Sequence, residues 1–359
     1  MQPSHSHSSY MKEALELASR GRYTVSPNPM VGCVIVKNEK IIGIGFHEKA
    51  GGPHAEIIAL QQAGSAAKDA IAYVTLEPCC HYGRTPPCTD ALIRAGIKKV
   101  YAACADPNPL VSGKGIQQLR EANIEVETGL HESEAIQQNE IFFHFIRNNK
   151  PFVIAKWAMS LDGKTITHPE DSPKISSHVS HQAAHETRQL VDAILIGANT
   201  AREDNPELNV RYPADAMTHK QPLRIVLSSQ DNLSLDLKVF DTSKNKTLVI
   251  TSNNAKPSWI NALREKQVEV IIAPQQENRI DLHFVLAELG KRNLTSLLVE
   301  GGMTVLQEFF QENLVQKIHV YLAPTIIGSL KQKQSVMNVN VENLHHDYFI
   351  TADYGVNHV

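Results

Sequence analysis

The decisive stretch is Gly52-Pro53-His54-Ala55-Glu56, taken with Leu76-Glu77-Pro78-Cys79-Cys80-His81-Tyr82-Gly83-Arg84-Thr85-Pro86-Pro87-Cys88. One imidazole and two thiolates are donors that Zn2+ favours, and a catalytic zinc takes three protein ligands and keeps one position open. His54, Cys79 and Cys88 supply those three. Glu56, two residues past the imidazole at the start of a predicted helix, places a carboxylate by the same cavity. A zinc site that removes an amino group by hydrolysis needs such a carboxylate, which is not a ligand but carries the water's proton to the leaving amine. A closed structural zinc would need a fourth protein donor, available from Cys80 or His81, and would leave Glu56 without a task.

Outward from these residues the first half alternates helical and β patterns. Residues 10–20 carry Met11, Leu15 and Ala18 on one helical face, and 31–36 and 41–45 read as strands joined at Asn38-Glu39. Helices are predicted over 54–62, 89–95 (closed by Gly96), 115–122 and 134–147, with strands over 72–76 and 99–104. This is an α/β layer with helices packed on a sheet. The boundary is placed at 149/150, within Asn148-Asn149-Lys150-Pro151, giving parts 1–149 and 150–359. The second part predicts strands near 152–158, 193–197, 223–228, 247–251, 268–273, 296–299 and 318–322, and helices over 180–191, 258–266, 282–291 and 304–312.

Composition narrows the classes. The 359 residues, 42% hydrophobic and 20% charged, are ordinary for a globular protein of two domains. All five cysteines fall within residues 33–104, an odd clustered set that points to metal binding in a reducing compartment rather than to disulfides. Cys33 and Cys104 read as small core residues. No run approaches the ~18 apolar residues of a membrane helix, and residues 1–7, read as a flexible tail, lack the pattern of a secretory leader. A cytoplasmic location is expected. The net charge of −3, with no basic run beyond a Lys-Lys pair, weighs against a nucleic-acid editing enzyme that would flip a base into the same pocket.

One feature departs from the usual zinc-deaminase signature. Eight residues, not two, separate Cys79 from Cys88, forming a turn-rich loop that can reach a substrate. With Pro27-Asn28-Pro29-Met30-Val31-Gly32 and the stretches above, the first half resembles the bifunctional deaminase/reductase family of riboflavin biosynthesis, in which the long insert is the rule. Lys156-Trp157-Ala158-Met159-Ser160-Leu161-Asp162-Gly163, Asp204-Asn205-Pro206 and Glu300-Gly301-Gly302 extend the resemblance over nearly the whole chain.

The resemblance implies a cytidine-deaminase-like α/β/α first domain and a dihydrofolate-reductase-like α/β second domain. It implies Zn2+ on His54, Cys79 and Cys88, with Glu56 as proton donor, and Asn28, His47 and His81 as substrate contacts in the deaminase pocket. It implies deamination of a diaminopyrimidinone ribosylamine 5'-phosphate, then NADPH-dependent reduction of the ribosyl group to ribityl. NADPH would contact Ala158, Lys174, Thr200, Asp204, Ser229 and the segment from Gly302, Met303 and Thr304 to Glu308. The reductase substrate would contact Ser172, Arg188, Leu208, Arg211 and Glu300, the arginines being suited to a 5'-phosphate. A homo-oligomer formed through the reductase half is also implied. Read physically, the second half has no Gly-x-Gly-x-x-Gly after a strand; Gly301-Gly302 before a helix offers instead a bare backbone to a phosphate. The roles of Lys156 and Asp162 are not assigned by pattern.

Overall fold

A computed structural model of the chain describes residues 6–82, 86–165, 175–212, 220–230, 233–277, 279–328, 334–335, 337–344 and 347–353. By contacts the chain divides into a first unit, Met1–Phe152 with Leu286–Ser296, and a second, Val153–Val285 with Leu297–Val359. The first break between the units falls after Phe152, and the grouping of a late segment with the first unit has no signature in the sequence.

The first unit opens with α1 (His7–Ser19), capped by the Ser6 hydroxyl, which accepts from Ser9 N–H. His7, read from sequence as tail, belongs to this helix, and its Nδ1 lies 2.6 Å from the Tyr73 hydroxyl. β1 (Gly32–Lys37) then turns at Asn38-Glu39, both left-handed (φ 50° and 61°), into antiparallel β2 (Lys40–Phe46). Such a two-residue turn matches the natural twist of a hairpin. The chain continues through α2 (Ala55–Ala63), β3 (Ile71–Val74), α3 (Cys88–Arg94), β4 (Lys99–Ala102), α4 (Lys114–Glu121), β5 (Glu125–Thr128), α5 (Glu132–Gln138) and α6 (Glu140–Asn148). The sheet order is β2-β1-β3-β4-β5, with β1 antiparallel to both neighbours and β3, β4 and β5 parallel.

Alternation along β1 feeds two cores. Cys33 and Ile35 pack with Ala55, Ala59, Leu92 and Leu119 of α2, α3 and α4. Val34 and Val36 pack on the opposite face with Met11, Ala14, Ala135 and Phe143 of α1, α5 and α6. The result is the α/β/α layer that was anticipated. Two details differ. The helix expected over 134–147 is broken at Asn139, whose buried amide accepts from Met30 N–H (2.8 Å) and donates to Met30 C=O (2.9 Å) like a strand partner. β5 escaped notice because, of its four residues, only Val126 is buried.

In the second unit, β6 (Phe152–Ser160) is followed by α7 (His178–Leu190), β7 (Ala193–Gly197), α8 (Ala198–Asp204), β8 (Leu223–Ser228), β9 (Thr247–Thr251), α9 (Pro257–Glu265) and β10 (Glu269–Ile272). The short hairpin β11 (Gln275–Gln276) and β12 (Arg279–Ile280) precedes α10 (Leu282–Lys291), whose residues from Leu286 on group with the first unit, and then come β13 (Ser296–Glu300), α11 (Met303–Gln311) and β14 (Lys317–Ala323). Two small hairpins close the chain, β15 (Thr325–Ile326) with β16 (Gln334–Ser335) and β17 (Met337–Leu344) with β18 (Asp347–Asp353). The seven-stranded sheet runs β10-β9-β8-β7-β13-β6-β14, with parallel pairing at β10/β9, β9/β8, β8/β7, β7/β13 and β6/β14. β7, β9 and β13 are buried along their whole length, which is why they read as continuous apolar runs rather than alternating ones. Among the described residues no helix is long and apolar enough to cross a membrane.

One contact fixes where α2 lies. A Cβ at Gly43 would meet Ala59 C=O at 2.2 Å, and one at Gly45 would meet Ala55 C=O at 2.3 Å and Ala59 N at 2.7 Å. The helix therefore rests directly on the backbone of β2, and neither glycine tolerates a side chain. Gly45→Ala should push the first turn of α2 outward at a cost of ~1–3 kcal/mol and lower the Tm of the purified chain by several degrees; an unchanged Tm would contradict this packing.

Candidate metal centre and second-unit groove

His54 is the N-cap of α2, Cys88 opens α3, and Cys79 follows β3. Their ligand atoms lie within 4.8 Å of one another, and among the described residues they form the one such His/Cys/carboxylate group. His54 Nδ1 is 3.2 Å from Cys88 Sγ and 3.5 Å from Cys79 Sγ, and Cys88 N–H donates to Cys79 Sγ at 3.4 Å. The hydrogen bond from Cys88, aided by His54, holds the Cys79 thiol well below the ordinary thiol range despite its burial. A low-pKa thiol beside an imidazole is the donor set that a zinc ion takes. Cys80, the candidate fourth ligand, turns its thiol to Leu110 C=O (3.9 Å), and His81 is exposed on the following loop. Cys33 and Cys104 are buried and free, as expected of core thiols.

Glu56, on the first turn of α2, is 3% exposed, and its Oε2 has no hydrogen-bond partner. Burial, reinforced by Cys79, pushes its carboxyl up to about 7. The orphaned buried oxygen and the three converging donors together satisfy what a catalytic zinc site requires. His47 lies edge-on to His54 at 5.4 Å between ring centroids. Its Nδ1 donates to Pro53 C=O (3.0 Å), so its Nε2 accepts from Asn28 Nδ2 (3.1 Å), and burial lowers its pKa, keeping it neutral. His47 is thus a buried residue that orients the Asn28 amide.

Two acids near this site were not singled out from sequence. Glu77 is buried, its Oε1 accepting from Gly115 and Ile116 N–H (2.9 and 3.2 Å) and its Oε2 from Gly113 and Asp106 N–H (2.9 and 3.2 Å). Two residues before Cys79, it fastens the metal loop to the amino end of α4, and Gly115 lets that helix approach, since a Cβ there would lie 2.1 Å from Pro78 C=O. Asp106, just past β4, is 8% exposed, and burial pushes its carboxyl up to about 6. The only signal for either was an acid beside a proline near a strand end.

In the second unit Arg188 on α7 pairs bidentately with Glu300 at the end of β13, Nε–Oε1 2.7 Å and Nη2–Oε2 2.8 Å. Lys156 Nζ on β6 lies 3.9 Å from Glu300 Oε2 and over the Tyr321 ring at 5.5 Å, which places it in this cluster. Burial would raise the Glu300 carboxyl, but the Arg188 charge and hydrogen bonds outweigh it and bring it to about 2. Asn209 links the arginines, its C=O accepting from Arg188 Nη1 (3.1 Å) and its Oδ1 from Arg211 Nη1 (2.8 Å). Arg211 N–H donates to His185 Nδ1 (3.3 Å), and burial, with Arg188 and Arg211 nearby, pushes His185 down to about 4. Leu208 is buried with φ 48°, a left-handed geometry rare for a bulky residue. Asp162 instead serves a turn, accepting from Ser160 Oγ (2.6 Å) and from Ile327 and Gly328 N–H (3.1 and 2.7 Å).

Beside this cluster a groove of about 210 Å3 runs past Gly197, Thr200, Ser229, Gly302 and Thr304. Its floor is bare backbone: a Cβ at Gly197 would meet Val305 Cγ2 at 2.8 Å, and one at Gly302 (φ +70°) would meet Thr200 Oγ1 at 3.1 Å. Of the expected cofactor contacts, Thr200, Ser229, Gly302 and Thr304 line this groove, whereas Ala158, Asp204 and Met303 do not. Met303 is the first residue of α11 and Asp204 the last of α8. Ser172 and Lys174 lie outside the described residues.

A three-layer α/β/α unit with a His/Cys/Cys cluster and a buried glutamate is a zinc-binding deaminase domain, here followed by a dihydrofolate-reductase-like α/β domain. The family model for the cytidine and deoxycytidylate deaminase zinc-binding region matches residues 4–104, and that for the RibD C-terminal domain matches 151–352. The chain is 44% identical to riboflavin biosynthesis protein RibD of Aquifex aeolicus, covering 95% of this chain and 96% of that protein. It is 40% identical to RibD of Escherichia coli, over 89% and 88%. A solved structure of Acinetobacter baumannii RibD superposes with a TM-score of 0.79 at 37% identity, over 97% and 98% of the two chains. A diaminohydroxyphosphoribosylaminopyrimidine deaminase/5-amino-6-(5-phosphoribosylamino)uracil reductase from Thermotoga maritima superposes with 0.78 at 34% identity, over 96% and 97%. The chain belongs to the RibD family of bifunctional deaminase/reductases of riboflavin biosynthesis.

The depressed Glu300 carboxyl has a consequence in acid. Its folded value of about 2 lies below the roughly 4.3 of an unfolded glutamate. The unfolded chain therefore binds the proton first, and the stabilisation is complete above about 4.3 and lost as the pH falls toward 2. Denaturant unfolding between pH 2 and 5 should show this loss, and Glu300→Gln, though less stable overall because Arg188 is left buried, should show a shallower dependence over the same window. An equally steep profile for the variant would refute the assignment.

Proposed function

We propose that the chain deaminates 2,5-diamino-6-(ribosylamino)pyrimidin-4-one 5'-phosphate and then reduces the ribosyl group of the product to ribityl with NADPH. The observation that carries the first half is the unpartnered Oε2 of the buried Glu56 carboxylate beside the His54/Cys79/Cys88 cluster. His54, Cys79 and Cys88 would hold zinc, which supplies the positive charge that makes water a nucleophile near neutral pH. Glu56, poised near neutrality by its burial, takes the water's proton at Oε2 and returns it to the departing 2-amino group, so ammonia leaves and a carbonyl remains. Asn28, held by His47, would orient the pyrimidine, and His81 would meet the ribosyl phosphate from the exposed loop.

For the second step the Gly197–Gly302 groove would hold NADPH, the hydride source for the sugar carbon. Glu300 and Lys156 would face the ribose. Because Glu300 occupies the Arg188 fork, Arg188 holds that carboxylate in place and the 5'-phosphate falls to Arg211. Ala158, Asp204, Leu208, Met303, Ser172 and Lys174 are proposed contacts on the strength of the family motifs. We further propose a cytoplasmic homo-oligomer built through the second domain.

The test is Glu56→Gln beside Cys88→Ser. Glu56→Gln should retain zinc by metal analysis while ammonia release from the pyrimidine substrate falls by ~10^2–10^4-fold; Cys88→Ser should lose the metal. NADPH consumption with supplied deaminated product should survive in both. Deamination persisting in Glu56→Gln would remove the carboxylate from the mechanism.

A further inference from the structure

The groove of the second domain contains a charge that the motifs do not mention. Arg279, on β12, lines it, and among the described lining residues Arg279 is the one cation. Its Nε sits 3.5 Å from Glu308 Oε1, an ion pair too long to be a good hydrogen bond, and the arginine side chain is 60% exposed. Among the described residues no hydrogen bond ties the guanidinium down. It is therefore a fork with donors to spare, held over the groove by one loose carboxylate contact.

The sheet order says which end of a dinucleotide it would meet. Glu300 and Lys156, the groups proposed to face the ribose, lie on β13 and β6. The groove runs along the ends of β13, β7 and β8, lined by Gly302, Gly197, Leu227 and Ser229, and Gly302 is two residues past Glu300. At ~4.8 Å per strand this carries the cofactor away from the nicotinamide end toward the β9/β10 edge. Arg279 enters the groove from the β11/β12 hairpin, whose first strand begins within three residues of the end of edge strand β10, and this assigns it to the end left for the adenosine. The bare backbone at Gly302, opening α11, suits a pyrophosphate, which needs N–H groups and close approach rather than a side chain. A dianionic phosphate monoester is what an open guanidinium fork recognises.

We propose that Arg279 reads the adenosine 2'-phosphate and is the residue that makes this groove choose NADPH over NADH. The proposal rests on the cofactor reading above and supplies its missing specificity element. Glu308 holds the guanidinium at the groove, and the 2'-phosphate adds the partner that saturates it.

The experiment is calorimetric binding to the full chain of NADPH, NADH, 2',5'-ADP and ADP, comparing wild type with Arg279→Ala and Arg279→Lys. Wild type should prefer NADPH to NADH and 2',5'-ADP to ADP. Arg279→Ala should weaken NADPH and 2',5'-ADP by roughly 10- to 100-fold, the worth of one charge-assisted pair, leave NADH and ADP within about twofold, and so abolish both preferences. Arg279→Lys should restore part of each as a point charge without the fork. Unchanged preferences in Arg279→Ala, with an unaltered Tm, overturn the proposal alone. An equal loss for all four ligands also overturns it, by placing Arg279 on the pyrophosphate. A wild-type chain that binds neither dinucleotide overturns the cofactor reading and the proposal with it.

Discussion

A carboxylate oxygen buried without a partner is costly inside a protein, on the order of 1–3 kcal/mol or more, and the first domain is arranged to keep Glu56 in that condition. Among the described residues three glutamates are buried, and they meet the same desolvation in different ways. Glu77 is satisfied by four backbone N–H groups and becomes a fastening point. Glu300 is satisfied by the Arg188 fork and stays ionised into strong acid. Glu56 is left with Oε2 free, and burial, reinforced by Cys79, raises its carboxyl to about 7. Of the three, Glu56 is the one poised to move a proton at neutral pH, because burial raises its carboxyl and no cation or set of backbone donors saturates both its oxygens.

Keeping that oxygen free demands rigidity around it, since a mobile side chain would turn to the nearest donor. The demand is met by backbone. Gly43 and Gly45 let α2 rest on β2 with no intervening side chain, and Gly115 does the same for α4 against Pro78. Glu77 then joins the residue before the metal loop to the helix beyond it. The three ligands reach the cavity from the N-cap of α2, the loop after β3 and the start of α3, the first two held by these contacts.

The metal ligands and Glu56 were legible because their chemistry is written in residue type and short spacing, and most elements because their apolar periodicity is strong. What was not legible depends on pairing across distance. Asn139 looked like one more polar residue in a helix; its amide breaks the helix because Met30, more than a hundred positions earlier, presents an unpaired backbone. β5 has one inward residue and so no pattern. Glu77 and Asp106 gave no sign of burial, and Arg188 looked like a free phosphate clamp until Glu300 was found in its fork. Arg279 sits in a two-residue strand that no periodicity could announce.

The two sites also differ in what they require before a ligand arrives. In the second domain Arg188, Glu300, Asn209 and Arg211 already hold one another through charged pairs and direct hydrogen bonds, so this polar cluster is organised by protein alone. In the first domain the sulfurs and the imidazole are gathered by contacts of 3.2 to 3.5 Å that depend on where the protons sit among Cys79, Cys88 and His54. Metal affinity there is tied to deprotonation of thiols, and so to pH, whereas the second site is built around the Arg188–Glu300 pair, in which each partner holds the other charged. The clustering of every cysteine in the first domain is the sequence-level trace of that difference: one site is organised by exchangeable protons and a metal, the other by fixed charge.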